Sequence, residues 1–84
     1  MTLQITVYST PHCVKCDRTK KQLDKLGLEY TSIDITEDAD AYTYATSLNP
    51  DYRVAPIVTV TRPDGTMSHW SDYRYDNIAA LANL

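Results

Sequence analysis

The chain has no apolar run approaching the ~20 residues that a membrane-spanning helix needs. No signal-peptide h-region precedes the first patterned segment, so a cytoplasmic location is expected and a membrane partner is not. Charge of one sign is also lacking. Eight Lys and Arg stand against eleven Asp and Glu, and the resulting net charge of -3 is too mild and mixed for a nucleic-acid surface. There is no internal repeat, linker or low-complexity segment, which leaves residues 1–84 as a single small domain. Its 43% hydrophobic and 23% charged residues suit a globular fold rather than a disordered tail. Cysteine is scarce, with only Cys13 and Cys16. A disulfide-stapled secreted domain carries several, widely spread. A bridge between these two would restrain almost no unfolded chain, so it would be a poor structural staple.

What is present is an alternating order of elements. "LQITVY", residues 3–8, sets Leu3, Ile5 and Val7 against Gln4, Thr6 and Tyr8, a strand pattern. Residues 14–26 predict a helix, with Val14, Leu23 and Leu26 at helical spacing and Gly27 at the C-terminal cap position. Residues 28–35 predict a second strand, and 36–48 a helix that Thr36 or Asp38 can cap, with acidic residues at its positive end. After a loop over 49–56 come a strand at 57–61, the turn "RPDG", and a returning strand at 66–71. Residues 75–84 close the chain as a helix with Ile78, Leu81 and Ala82 inward. The βαβαββα order implies a right-handed crossover between two parallel strands, then an antiparallel hairpin. The expected fold is therefore α/β, a mixed four-stranded sheet flanked by three helices.

Cys13 stands at the junction of strand and helix, where unpaired N–H groups and the helix dipole favour thiolate over thiol. Cys16 lies one turn on, nearer the core, within reach for a disulfide but less exposed. That division suits dithiol exchange, in which one thiolate attacks a disulfide and the second resolves the mixed disulfide. A metal clip would need two more ligands, and the only histidines are His12 and His69. His12 adjoins Cys13, an awkward placement for one tetrahedral centre, so no metal is expected and His12 is taken as an exposed loop residue. Lys15 and Arg18 add positive potential that salt screens. "VAP", residues 54–56, opens an apolar strand. Its proline is either an ordinary trans residue at a strand start or a cis one that turns the chain sharply, and spacing leaves both open.

The C-x-x-C after a first strand, "VAPIV" and the element order resemble the thioredoxin superfamily in its short glutaredoxin-like form. Within it, "CVKC", "GLEY", "IDITED", "VAPIV" and "HWSDYRYDNIAAL" resemble the NrdH-redoxins, over nearly the whole chain. The resemblance implies a thioredoxin-like fold and a redox-active Cys13–Cys16 disulfide in place of any bound cofactor. Cys13 would attack and Cys16 resolve. Pro56 would be a cis proline facing the disulfide, Ala55 would offer backbone hydrogen bonds to substrate, and Trp70 and Ser71 would border it. The expected activity is that of a monomeric disulfide reductase that draws electrons from thioredoxin reductase. It would serve a class Ib ribonucleotide reductase or other disulfide-bearing proteins.

The tail departs from the family's W-S-G-F-R-P pattern. Asp72 replaces Gly, Tyr73 replaces Phe and Tyr75 replaces Pro, while Trp70, Ser71, Arg74 and Asp76 match. Trp70 and Tyr73 suit plain packing as well as they suit a substrate. The rival enzyme reading is a glutathione-dependent glutaredoxin. Those proteins hold glutathione partly through a Gly-Gly turn, which "WSDYRYD" lacks, and their "CPYC" motif is absent too. A redox-inert interaction module is the remaining alternative, against which the spacing and helix placement of the cysteines argue.

Overall fold

The computed structural model describes residues 3–82. The elements are β1 (Gln4–Ser9), α1 (Val14–Lys25), β2 (Thr31–Asp34), α2 (Ala39–Ser47), β3 (Ile57–Thr61), β4 (Met67–Ser71) and α3 (Tyr75–Leu81). The strands form one sheet in the order β2-β1-β3-β4. β1 is parallel to β2 and antiparallel to β3, and β3 is antiparallel to β4. This is the mixed α/β arrangement that the element order implies.

Alternation in residues 3–8 predicts one buried face, yet β1 is covered on both. Ile5 and Val7 pack with Leu23 of α1, Val58 and Val60 of β3, Trp70 of β4, and Ile78 and Leu81 of α3. Tyr8 points the other way and is buried with Ala45 of α2 and Ile57 of β3. Helices α1 and α3 thus cover one face and α2 the other. An inner strand between two helical layers buries residues of both parities.

Several boundaries shift for local reasons. Strand β2 begins at Thr31 rather than residue 28 because α1 ends in a capping turn. Gly27 takes φ 71. Its N–H donates to Asp24 O at 3.0 Å, and that of Leu28 to Leu23 O at 3.0 Å. This pattern closes a helix through a left-handed residue. Residues 27–30 therefore serve the turn, while Leu28 and Tyr30 still pack on the core. Helix α2 starts at Ala39 because Thr36 is bound elsewhere, its N–H and hydroxyl both donating to Asp34 Oδ1. Asp38 is the cap, accepting from Ala41 N–H at 3.0 Å. Val14, one of the apolar positions at helical spacing, is 66% exposed. The buried positions of α1 are Cys16, Thr19 and Leu23. Two residues along a helix turn about 200°, so Val14 and Cys16 face opposite ways. Ala82, expected inward, follows α3 as its cap and is exposed. The last two residues of the helix expected over 75–84 lie outside the described residues.

Leu23 is fully buried where α1 meets the strands and α3. Leu23→Ala is expected to destabilise the protein by about 2–5 kcal/mol. Urea unfolding should show this as a lower midpoint at an unchanged slope. A loss below ~1 kcal/mol would mean that the core closes around the deleted atoms.

Candidate active site

Strand β1 ends at Ser9, and residues 10–12 lead into α1. His12 is exposed with φ 57, a left-handed conformation uncommon outside glycine, so it bends the chain immediately before Cys13. Cys13 has extended φ -104 and ψ 107 and is the N-cap of α1. Its Sγ accepts the Cys16 N–H at 3.1 Å, filling the place usually taken by a Ser, Thr, Asp or Asn oxygen. The two cysteines form a disulfide, with Cα atoms 5.2 Å apart. Cys13 is half-buried, and Cys16 is 1% exposed. Beneath them the Thr19 hydroxyl, itself buried, donates to Lys15 O at 2.9 Å and so brings no unpaired polar group into the core.

The "VAP" segment, immediately before β3, meets the disulfide. The Ala55–Pro56 peptide bond is cis. Cys13 Sγ lies 3.8 Å from the Ala55 carbonyl oxygen. Ser71, at the end of β4, donates its hydroxyl to the Val54 carbonyl. The structure thus brings Cys13, Cys16, Ala55, Pro56 and Ser71 to one end of the sheet. Trp70 is different. Only 7% exposed, it sits in the main core cluster, and Tyr73 packs against the same cluster. The packing role weighed for these two aromatics describes their side chains.

Asp72 links these parts. Its φ is 75, the left-handed conformation that glycine would adopt most easily and that Asp tolerates better than most residues. Its N–H donates to Pro56 O at 2.9 Å. Its carboxylate accepts the Tyr73 N–H at 2.7 Å and pairs with Lys15 Nζ at 2.9 Å. The Lys15 hydrogen bond, followed by that from Tyr73 N–H, holds the Asp72 carboxyl below its ordinary range. Sequence reasoning flagged both residues but not their pairing. Lys15 looks like one of several solvated cations on α1, and nothing local distinguishes it. Arg74 donates Nε–H to Ser71 O at 3.1 Å.

The second histidine is used elsewhere: His69 Nδ1 is 2.7 Å from the Tyr52 hydroxyl. Among the described residues no group of three His, Cys, Asp or Glu side chains is arranged to hold a metal ion. Nor is any described helix long and apolar enough to cross a membrane.

Residues 5–62 match the glutaredoxin family. The Gene 56 protein of Mycobacterium phage L5 is 35% identical over 57 residues, covering 68% of this chain and 55% of that protein. The chain thus spans little more than half the length of this relative. The glutaredoxin-like protein NrdH of Salmonella typhimurium is 31% identical over 80 residues, covering 94% of this chain and 89% of that protein. Among solved structures, the glutaredoxin-like protein NrdH-redoxin from Escherichia coli, a protein with a thioredoxin-like activity profile, aligns with TM-score 0.77 at 27% identity over 93% of each chain.

The depressed Asp72 pKa has a testable sign. A carboxyl with a lower pKa in the folded state stabilises that state above its unfolded pKa of about 3.9. The contribution is lost as pH falls through the folded value. Asp72→Asn is therefore expected to lower the unfolding free energy at pH 7 by no more than about 1 kcal/mol for a pair this exposed, read as a lower urea midpoint. The gap from the parent protein should close as the pH is taken below 4. A gap that stays constant down to pH 2 would show that the carboxylate charge contributes nothing.

Proposed function

The chain belongs to the glutaredoxin family, among its NrdH-like members, and on that basis we propose that it is a dithiol–disulfide oxidoreductase that reduces protein disulfides through Cys13 and Cys16. The observation that carries this reading is the division between the two sulfurs. Cys13 Sγ caps a helix and accepts its N–H at 3.1 Å, while Cys16 is buried behind it. In the reduced protein the same N–H and the helix dipole favour the Cys13 thiolate. That thiolate attacks one sulfur of a substrate disulfide, forming a mixed disulfide and releasing the other sulfur as thiolate. Cys16 then loses its proton and attacks Cys13 Sγ, which releases the second substrate thiolate. Two electrons pass to the substrate, and the Cys13–Cys16 disulfide remains.

Ala55 and Pro56 give an extended substrate segment a backbone to align with, close to Cys13, and Ser71 fixes the preceding carbonyl. The disulfide is the only redox group that the reaction requires. We assign thioredoxin reductase as the electron source and a class Ib ribonucleotide reductase, or another disulfide-bearing protein, as client. The thioredoxin-like activity profile of the Escherichia coli relative supports this choice. The protein would act as a monomer in the cytoplasm, where a reducing environment keeps such a pair in turnover.

Limiting iodoacetamide on the reduced protein at mildly acidic pH should label Cys13 ahead of Cys16. Cys16→Ser should accumulate a stable mixed disulfide with substrate, and Cys13→Ser none. Preferential labelling of Cys16 would reverse the two roles. With insulin as acceptor, NADPH oxidation through thioredoxin reductase should far exceed that through glutathione and glutathione reductase. Equal turnover by the two routes would make the protein a glutaredoxin in activity as well.

A further inference from the structure

We propose that the Lys15–Asp72 ion pair selects the reductant, by withholding from a small carboxylate-bearing thiol such as glutathione the cation beside the reactive sulfurs. The inference rests on the redox reading of Cys13 and Cys16. Lys15 stands between the cysteines in the chain, and its side chain is 51% exposed, so an anionic ligand arriving at Cys13 would meet it. In this protein its Nζ is instead 2.9 Å from Asp72 Oδ1. Asp72 is not a loose surface carboxylate. Its N–H is fixed on Pro56 O at 2.9 Å and its Oδ1 on the Tyr73 N–H at 2.7 Å, so it is held against the same loop that faces the disulfide. The cation two residues beyond Asp72, Arg74, has its Nε–H on Ser71 O.

A glutathione carboxylate would have to displace Asp72 from Lys15, exchanging one ion pair for another, and would then lie beside a like charge. A protein reductant avoids this exchange, because it can dock through backbone contacts along Ala55 and Pro56. Reduction by glutathione takes two exchanges. One glutathione thiolate attacks Cys13 Sγ, forming a mixed disulfide and releasing Cys16 as thiolate. A second attacks the glutathione sulfur of that bond, yielding oxidised glutathione and the Cys13 thiolate. Two electrons reach the protein.

The test compares reduction of the disulfide by glutathione with reduction by 2-mercaptoethanol, which carries no carboxylate. Rates would be followed by thiol alkylation and mass spectrometry. Asp72→Asn keeps an oxygen for the Tyr73 N–H and a residue tolerant of φ 75 while removing the charge. It should raise the ratio of glutathione rate to mercaptoethanol rate about threefold or more, the scale of an exposed ion pair exchanged plus a like charge removed. In a Lys15→Gln background the same substitution should raise the ratio by clearly less, because only the like charge is then removed. Asp72→Gly, which fits the backbone without strain, serves as the second variant should Asp72→Asn fold poorly. A ratio that does not move, or that rises equally without Lys15, overturns the proposal. A general change in sulfur reactivity would move both thiols together and leave the ratio flat. Insulin reduction by the dithiol form, measured alongside, separates the two failures. A flat ratio in a protein that reduces insulin overturns only this inference, and loss of insulin reduction in the parent protein overturns the redox reading beneath it.

Discussion

Tyr8 of β1 lies opposite Ile57 of β3, and Ile57 lies opposite Ser71 of β4. That register is the constraint on which the rest depends. It places the chain leaving β1, the chain entering β3 and the chain leaving β4 at one end of the sheet. The disulfide, Pro56 and Asp72 sit on those three segments. Sliding β3 by one residue would carry Pro56 about 3.3 Å along the sheet. It would also exchange the faces of Ile57 and Val58, which belong to different core clusters. The hydrophobic fill on both faces thus holds the site in register.

Much of this was legible from the residues. Strand β3 spans the five residues read as a strand, and the cysteine pair stands at a helix mouth as expected, because spacing and strand-to-helix punctuation are local signals. The misses share a cause. Val14 shares the apolar spacing of α1, although its angle to Cys16 sets it outward, and the inner face of α1 is completed by Thr19, a polar residue that periodicity passes over. Tyr8, on the polar parity of β1, is buried because α2 covers that side, a fact about three dimensions rather than pattern. The Lys15–Asp72 pair was invisible for the same reason. Each residue is an ordinary surface charge until the sheet register brings the tail beside α1.

The tail illustrates how one substitution can be accommodated without loss of geometry. Where the family's usual residue is glycine, Asp72 keeps a left-handed backbone, and its carboxylate then finds two donors that glycine could not use. A left-handed conformation strains a residue with a Cβ, though Asp less than most, and the ion pair and the Tyr73 N–H offset that strain. Trp70 and Tyr73 beside it pack on the core, so the tail is anchored by apolar contact on one side and by charge on the other.

Cys13 as the cap of α1 makes folding and electron transfer a single thermodynamic cycle. A thiolate is a stronger acceptor than a neutral disulfide sulfur, so the Cys16 N–H and the helix dipole stabilise the reduced form more than the oxidised one. In the unfolded chain that preference vanishes, and a bridge across so short a loop adds little of its own. The free energy by which reduction strengthens the fold must therefore reappear as an equal ease of reducing the folded disulfide. The first turn of α1 is in this sense a transducer. A change that loosens it lowers the stability of the reduced protein more than that of the oxidised one, and that difference is lost from the oxidised protein's readiness to accept electrons.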